Sequence, residues 1–462
     1  MTTQHFDLCV IGSGSANSML DERFSSLSIA MVERSAFGGT CLNKGCIPSK
    51  MFIYPADVVD TMRHVDRINI AVDRWSVDFN AVKDRTFGRI DPISKSGLEY
   101  RQGLDNISVL LGDARFVADK TLQVGDVTLT ADRFVIAAGA RTTLPDLAGL
   151  DRVRYRTSDD IMRLDKLPER LTILGSGFIA CEMAHVFDAY GSEVTLVIRR
   201  DTVLNHCDRA VSDSVTRALR ERFRIVDNAK VTMVEQHGSE LVVSGTQGAE
   251  PFQIRSDELL IAIGRTPNGD ELGVQATGVR LDDDGYVVVD RFGRTSHRDI
   301  WALGDVCSHL QLKHVANHQA KVVAANLAAG HDVVEFDLEA VPFAIFTAPQ
   351  VGVVGCREED LKAAGSDYVT ITRQYGSTAY GWAMEDTTGF VKLLGDPHTR
   401  QILGAHVVGY QASNLVQLAV FAMRCGHSAD ELATAMMYPH PALTEVIENA
   451  ALELCAAMDA WS

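Results

Sequence analysis

The chain is poor in several things a 462-residue protein could carry, and each shortage removes a class of function. No apolar run approaches the ~18 residues that would span a bilayer, which argues against a membrane protein. Basic residues are outnumbered, 44 against 61 acidic, and the net charge of −17 argues against nucleic acid or an anionic membrane as partner. There is no Pro-rich linker, low-complexity tract or long charge block, so domain limits have to come from the order of motifs. Close cysteine pairs are also scarce. Seven of the nine cysteines (Cys9, Cys181, Cys207, Cys307, Cys356, Cys425, Cys455) stand alone, which leaves no second pair for a zinc site. Their scatter and odd total, with no signal peptide before the first strand-like run, read as reduced thiols of a cytoplasmic protein. The composition, 46% hydrophobic and 23% charged, is that of an ordinary globular chain of two to four domains.

The exception is Cys41 and Cys46, in Gly38-Gly39-Thr40-Cys41-Leu42-Asn43-Lys44-Gly45-Cys46-Ile47-Pro48-Ser49-Lys50. A regular helix would hold their Cα atoms roughly 8 to 9 Å apart, beyond the ~7 Å a disulfide tolerates. A bridge therefore needs a distorted first turn. Gly45 permits unusual dihedrals, and Pro48 has no N–H to offer the carbonyl of Lys44. A strained, accessible disulfide is easily reduced, so the pair points to redox work.

A strand, a Gly-x-Gly turn, a helix pattern and a second strand then recur roughly 160 residues apart. In the first copy Leu8-Cys9-Val10-Ile11 leads into Gly12-Ser13-Gly14-Ser15-Ala16-Asn17, and the strand Ser28–Val32 ends on Glu33. Gly12 allows the tight turn, Gly14 lets the backbone approach a pyrophosphate, and Glu33 is placed for ribose hydroxyls. Asn17 departs from the usual third glycine and should loosen the packing of helix on strand. In the second copy Leu171-Thr172-Ile173-Leu174 leads into Gly175-Ser176-Gly177-Phe178-Ile179-Ala180-Cys181-Glu182, and the strand Val194–Ile198 ends on Arg199-Arg200. A carboxylate there would repel a 2′-phosphate, whereas guanidinium pairs with it, so this copy should prefer NADPH to NADH.

With the Cys-x4-Cys segment between two such units, the chain resembles the pyridine nucleotide-disulfide oxidoreductases, the family of glutathione reductase and dihydrolipoamide dehydrogenase. Two further segments match: Thr295-Ser296 through Ile300-Trp301-Ala302-Leu303-Gly304-Asp305, and Tyr438-Pro439-His440-Pro441-Ala442-Leu443-Thr444-Glu445. The resemblance implies an α/β fold with two Rossmann-like dinucleotide-binding domains, for FAD and NADPH, and a C-terminal α+β dimerisation domain. Residues 1–149 would form the FAD-binding domain with the redox disulfide, 150–270 the NADPH-binding domain, 271–340 the segment completing the FAD domain, and 341–462 the interface. It assigns flavin contacts to Gly12, Gly14, Ser15, Ala16, Glu33, Thr40, Lys50, Ala114, Gly139 and Asp305. Pyridine-nucleotide contacts fall to Gly175, Ser176, Gly177, Phe178, Ile179, Glu182, Arg199, Arg200 and Gly264. No position is assigned to a metal ion.

The same resemblance implies a division of labour. Electrons from NADPH would reach the Cys41–Cys46 disulfide through FAD, with Cys46 nearer the flavin and Lys50 paired with Glu182 beside it. Cys41 would attack the substrate disulfide, and Cys46 would resolve the mixed disulfide. A helix start and Lys50 should depress the Cys46 thiol pKa. Phe178 would gate the flavin. His440, oriented by Glu445, would shuttle the proton and would come from the other subunit of an obligate homodimer.

Departures from the family's patterns narrow the substrate. The tail carries only Cys455, where thioredoxin and mercuric reductases carry a second redox pair. Arg199 disfavours dihydrolipoamide dehydrogenase, which would want an acid there. The first helix reads Leu20-Asp21-Glu22-Arg23, with Glu22 where glutathione reductase would need an arginine for its anionic substrate. A neutral disulfide fits better. Together with Ala379-Tyr380-Gly381-Trp382-Ala383-Met384-Glu385-Asp386-Thr387 and Lys313–His318, these residues resemble the branch that reduces the uncharged disulfide of a cysteine-glucosamine-inositol thiol. Glutathione disulfide and lipoamide remain the alternative substrates, and a flavoprotein passing electrons to oxygen or quinone the alternative class. Asn205 stands where NADPH-selective relatives often have a second arginine, a place that Arg200 would take, so NADPH selectivity should be modest.

Overall fold

The computed structural model describes residues 3–461. The strand Gln4–Ile11 lies at the middle of a seven-stranded sheet, parallel to Ile29–Glu33 on one side and Val127–Ile136 on the other. Cys9 sits opposite Ala30 and Phe134, all fully buried. A strand covered on both faces has no solvent side, which is why Leu8-Cys9-Val10-Ile11 is an unbroken apolar run rather than an alternating one. Ile107–Leu111 extends the sheet at one edge and Thr121–Val124 and Ala114–Ala118 at the other. The distant strand Ile300–Ala302 joins it by pairing in parallel with Val127–Ile136.

A second sheet repeats the plan with four parallel strands in the order Arg224–Val226, Glu193–Val197, Arg170–Leu174, Glu258–Ile261. Beside it lies an antiparallel layer of Ala229–His237, Glu240–Gln247 and Glu250–Ser256. The chain segments that leave the two parallel sheets pair with each other, Ala140–Thr142 against Arg265–Pro267. A five-stranded antiparallel sheet from Phe343–Ile345 to Ile402–Val408 follows, covered by the helices Ala412–Cys425 and Glu445–Asp459 around a core of its own.

The repeat is close at the level of backbone. The N–H groups of Gly12 (φ +105°) and Gly175 (φ +140°) donate to the carbonyls of Val32 and Val197, at 2.8 and 3.1 Å. A Cβ on Gly12 would lie 2.3 Å from the Ala137 oxygen, and one on Gly175 would lie 2.1 Å from that of Ala262. Only glycine fits either place.

After these turns the copies part. The second continues as the 13-residue helix Phe178–Tyr190. The expected first helix is absent; two 3₁₀ turns, Ser15–Met19 and Glu22–Phe24, stand in its place, with Leu20 extended between them. Short polar side chains compete for the backbone here: Ser18 Oγ donates to the Ser15 carbonyl at 2.7 Å, and the Arg23 N–H donates to Asp21 Oδ1 at 3.0 Å. Asp21 also forms a forked pair with Arg23, and Glu22 is exposed, so Glu22 carries the unpaired charge of the expected acidic edge.

Two contacts tie the layers together. The helix Cys46–Arg63 packs on Phe178–Tyr190, where the Tyr190 hydroxyl donates to the Phe52 carbonyl at 2.7 Å and the two rings stack at 6.2 Å. Lys392, from the antiparallel sheet, reaches the fully buried Asp208 of the second unit at 2.8 and 2.9 Å and Glu358 at 2.6 Å. No described helix is long and apolar enough to cross a membrane.

Candidate active site

The redox segment is a broken helix. Gly39–Asn43 makes one short helix, Lys44 and Gly45 leave helical geometry (Gly45 φ −128°, ψ −115°), and Cys46–Arg63 begins afresh. Pro48 then falls in a first turn, where a missing N–H costs nothing. The break brings the two cysteines together, because a Cβ on Gly45 would sit 3.1 Å from the Thr40 oxygen and 3.5 Å from the Cys41 Cα. Buried Asn43 fixes the entry by donating to the carbonyls of Ala36, Phe37 and Gly39 at 3.0 to 3.2 Å.

The two cysteines are unbridged neighbours, close enough for the Cys41 thiol to hydrogen-bond a Cys46 thiolate. That bond from Cys41 pulls the Cys46 pKa down to about 7 against the opposing effect of burial, and the charges of Lys50 and Lys313 add to it. The same bond, with burial, pushes the Cys41 thiol well up. One sulfur is thus a thiolate near neutrality and its neighbour keeps its proton.

Lys50 binds both oxygens of Glu182 at 2.9 and 2.8 Å. Glu182 is 4% exposed, and Oε1 also accepts the Phe346 N–H at 3.0 Å, while the Phe346 ring covers Lys50 Nζ at 4.6 Å. The pair therefore joins the redox helix, the second nucleotide unit and the antiparallel region. Phe346 was not foreseen from sequence, since no local motif announces a partner 164 residues from Glu182.

A cleft of about 570 Å³ opens beside the cysteines. Gly12, Gly14, Ser15, Glu33, Thr40, Cys41, Cys46, Lys50, Ala114, Gly139 and Asp305 line it, with Phe178 and Ile179 from the second unit. Ala16 is buried behind it. The cleft fits a flavin dinucleotide. Gly14 and Gly39 face each other so closely that a Cβ on Gly39 would lie 2.7 Å from the Gly14 Cα, which leaves bare backbone toward the cleft. Glu33 is aimed by Ser13, whose N–H and hydroxyl donate to Oε2 at 3.0 and 2.6 Å, and by the Ser35 N–H on Oε1 at 2.8 Å. The Ser35 hydroxyl also donates to Oε1 at 3.2 Å, so all four lone-pair sites are taken and a ribose hydroxyl would have to replace one of the two serine hydroxyls. No group among the described residues donates to the Asp305 carboxylate, and burial raises its pKa, as suits an acceptor awaiting a ligand. Lys313 adds a cation, donating to Ser15 Oγ at 3.0 Å. Ser13 and Lys313 lie inside segments singled out in the sequence but are given no part in the site there, and Ser35 is not named.

Gly175, Ser176 and Gly177 form the second turn outside this cleft, and Gly264 sits at the exit from that sheet. Arg199 and Arg200 follow the strand Glu193–Val197, both exposed and with no side-chain partner among the described residues. Asn205 reaches Ser176 Oγ at 3.4 Å. Phe178 opens its helix at 41% exposure, which is the place of a surface ring and not of a core aromatic.

His440 Nδ1 lies 2.7 Å from Glu445 Oε1, and the Ala442 N–H donates to Oε2 at 3.1 Å. The His440 bond holds the Glu445 carboxyl below its usual range. Imidazole orientation is thus fixed, with Nε2 free of partners among the described residues. Neither residue lines the cleft of its own chain, and the His440 side chain is 71% exposed.

Residues 6–320 match the family described as pyridine nucleotide-disulphide oxidoreductase, and residues 341–451 match its dimerisation domain. The chain belongs to this family: it is an oxidoreductase that uses FAD and NAD(P)H and acts on sulfur. It is 44% identical to mycothione reductase of Mycobacterium tuberculosis over 459 residues, covering 97% of this chain and 99% of that one. A mercuric reductase of Lysinibacillus sphaericus is 33% identical (97% and 82% covered), and a dihydrolipoyl dehydrogenase of Chlamydia pneumoniae 32% (97% of each). The Cu(II) complex of the HOCl-induced flavoprotein disulfide reductase RclA from Escherichia coli superposes with a TM-score of 0.86 at 26% identity, covering 98% of this chain and all of that one.

Proposed function

We propose that the protein reduces mycothione, the uncharged disulfide of a cysteine-glucosamine-inositol thiol, to mycothiol with NADPH. The observation that carries the substrate is the 44% identity, along almost the whole of both chains, to a mycothione reductase. Glu22, exposed and without a charged partner among the described residues, supports it, since such an acid disfavours an anionic disulfide such as that of glutathione. Arg199 and Arg200 support NADPH, because two exposed guanidinium groups without side-chain partners among the described residues are free to take a 2′-phosphate.

FAD, when bound, supplies the two-electron relay between nicotinamide and disulfide. The cysteines then divide the sulfur chemistry. Cys41, whose proton is held by burial and by Cys46, becomes a nucleophile once His440 takes that proton. Its sulfur attacks the substrate disulfide, forms a mixed disulfide, and the leaving thiolate is protonated by His440. The Cys46 thiolate next attacks Cys41 sulfur, which closes the Cys41–Cys46 disulfide and releases the second thiol. Lys50 keeps Cys46 ionised, and Glu182 keeps Lys50 in place.

His440 comes from the other subunit of a homodimer in this reading. Exposed apolar side chains support that arrangement: Met436 and the fully exposed Met437 stand just before His440, and Phe421 and Trp382 lie in the same region. Burying them against a second copy would carry His440 off its own chain.

Two measurements test the reading. NADPH oxidation with mycothione, glutathione disulfide and lipoamide side by side should favour mycothione by at least about 100-fold; preference for glutathione disulfide sinks the substrate assignment. Mixing inactive Cys41→Ser and His440→Ala subunits should restore activity through hybrid dimers, each with one complete site. No recovery after subunit exchange excludes a shared site.

A further inference from the structure

The first nucleotide unit lacks the body of the helix that its Gly-x-Gly turn should feed, and something else has to support the turn. A helix abandoned after one turn strands carbonyls that later N–H groups would have filled. Asn17 and Leu20 carry two of these carbonyls, and both accept from a single nitrogen, Arg101 Nη2, at 2.6 and 3.2 Å. Arg101 Nε donates to Asn17 Oδ1 at 2.8 Å. Arg101 is 7% exposed, and no carboxylate among the described residues lies within ion-pair distance of it. Burying a guanidinium with only neutral partners is costly, so a simple packing role is poorly served by arginine. The second unit gives the internal comparison: its turn feeds a full helix, and among the described residues no arginine donates to the backbone of its turn.

We infer that Arg101 is a positioning residue for the flavin dinucleotide, taking the place of the missing helix body. It ties the Gly12–Leu20 segment to the end of the helix Phe79–Gln102, so that Gly14 stays against Gly39 and Ser15 against Lys313 where the pyrophosphate approaches. Asn17 belongs to the same device. A glycine there, as in the usual pattern, would remove the acceptor that orients Nε. The positive charge set behind the carbonyl end of the turn also favours an anion at its other end. The inference rests on the assignment of FAD to this cleft.

The test is FAD retention by the purified holoenzyme, read from flavin fluorescence on release, with FAD-saturated and FAD-free unfolding temperatures measured in parallel. Arg101→Met should weaken FAD binding roughly 10- to 100-fold, Arg101→Lys less, and Asn17→Ala about 5-fold, while NADP⁺ binding to the second unit stays as in the unaltered enzyme. A merely structural arginine would lower both unfolding temperatures alike; a positioning one narrows the gap between them, because the ligand then stabilises less. If Arg101→Met does not fold, Arg101→Lys and Asn17→Ala decide. Unaltered FAD retention in the folded variants overturns the role of Arg101, whereas an unaltered enzyme that binds no flavin at all overturns the cofactor assignment beneath it.

Discussion

The two nucleotide units close their turns in the same way and then recognise by opposite means. In the first, Glu33 is 7% exposed, held by Ser13 and Ser35, and lines the cleft beside the cysteines. In the second, Arg199 and Arg200 stand in solvent with no partner among the described residues, beside a turn that lies outside that cleft. Fixed, enclosed acceptors suit a group that stays; free cations on an open surface suit one that comes and goes. In the proposed function the same fold would thus serve a resident and a visitor by changing how far the recognising side chain is committed before the ligand arrives.

The sharpest way to break that comparison is to place the same clash in both turns. Gly12→Ala and Gly175→Ala each put a Cβ within 2.3 Å of a carbonyl oxygen at positive φ, a strain of about 3 kcal/mol or more. Gly12→Ala should yield protein without flavin, and Gly175→Ala protein that keeps its flavin but is no longer reduced by NADPH. Flavin content and anaerobic titration distinguish them; identical phenotypes would mean that the units do not divide the work this way. A smaller effect is expected from Arg199→Glu, which should cut the ratio of kcat/KM for NADPH to that for NADH about 100-fold. An unchanged ratio would leave the free arginines without a role in cofactor choice.

The smallest effect concerns the thiolate between the units. Cys46 titrates at about 7, below its ordinary value of 9.0, so its thiolate is present above pH 7 and is lost as the pH falls through that value. Lys50→Met removes one of the causes that lower it, and the midpoint should rise by about one unit. The pH dependence of alkylation of the reduced enzyme reads this directly, and an unmoved midpoint would limit Lys50 to holding Glu182.

What could be read from the sequence was what a short stretch decides. Gly12 and Gly175 declare their turns because no other residue fits, Cys41 and Cys46 declare a broken helix through Gly45, and five residues separate His440 from Glu445. What could not be read depends on chain brought in from afar. Where the helix expected after Gly14 is missing, its stranded carbonyls are met by Arg101, 84 residues from Asn17. Lys313 meets Ser15, and Phe346 closes over Lys50 and Glu182, only once three layers have packed. A local pattern states what the backbone wants; it is silent on which distant side chain will satisfy it.

The ion cluster of Lys392 with Asp208 and Glu358 bears on how this enzyme could be recombined with its relatives. Asp208 is wholly buried, and its cation is lent by a strand almost 200 residues later. A chimera that grafts the second unit onto another protein's antiparallel region would inherit the acid without its lysine, at a cost of about 3 to 5 kcal/mol. The nucleotide unit is therefore portable only with its creditor, and a natural crossover between the two positions would survive where both parents keep the same pair.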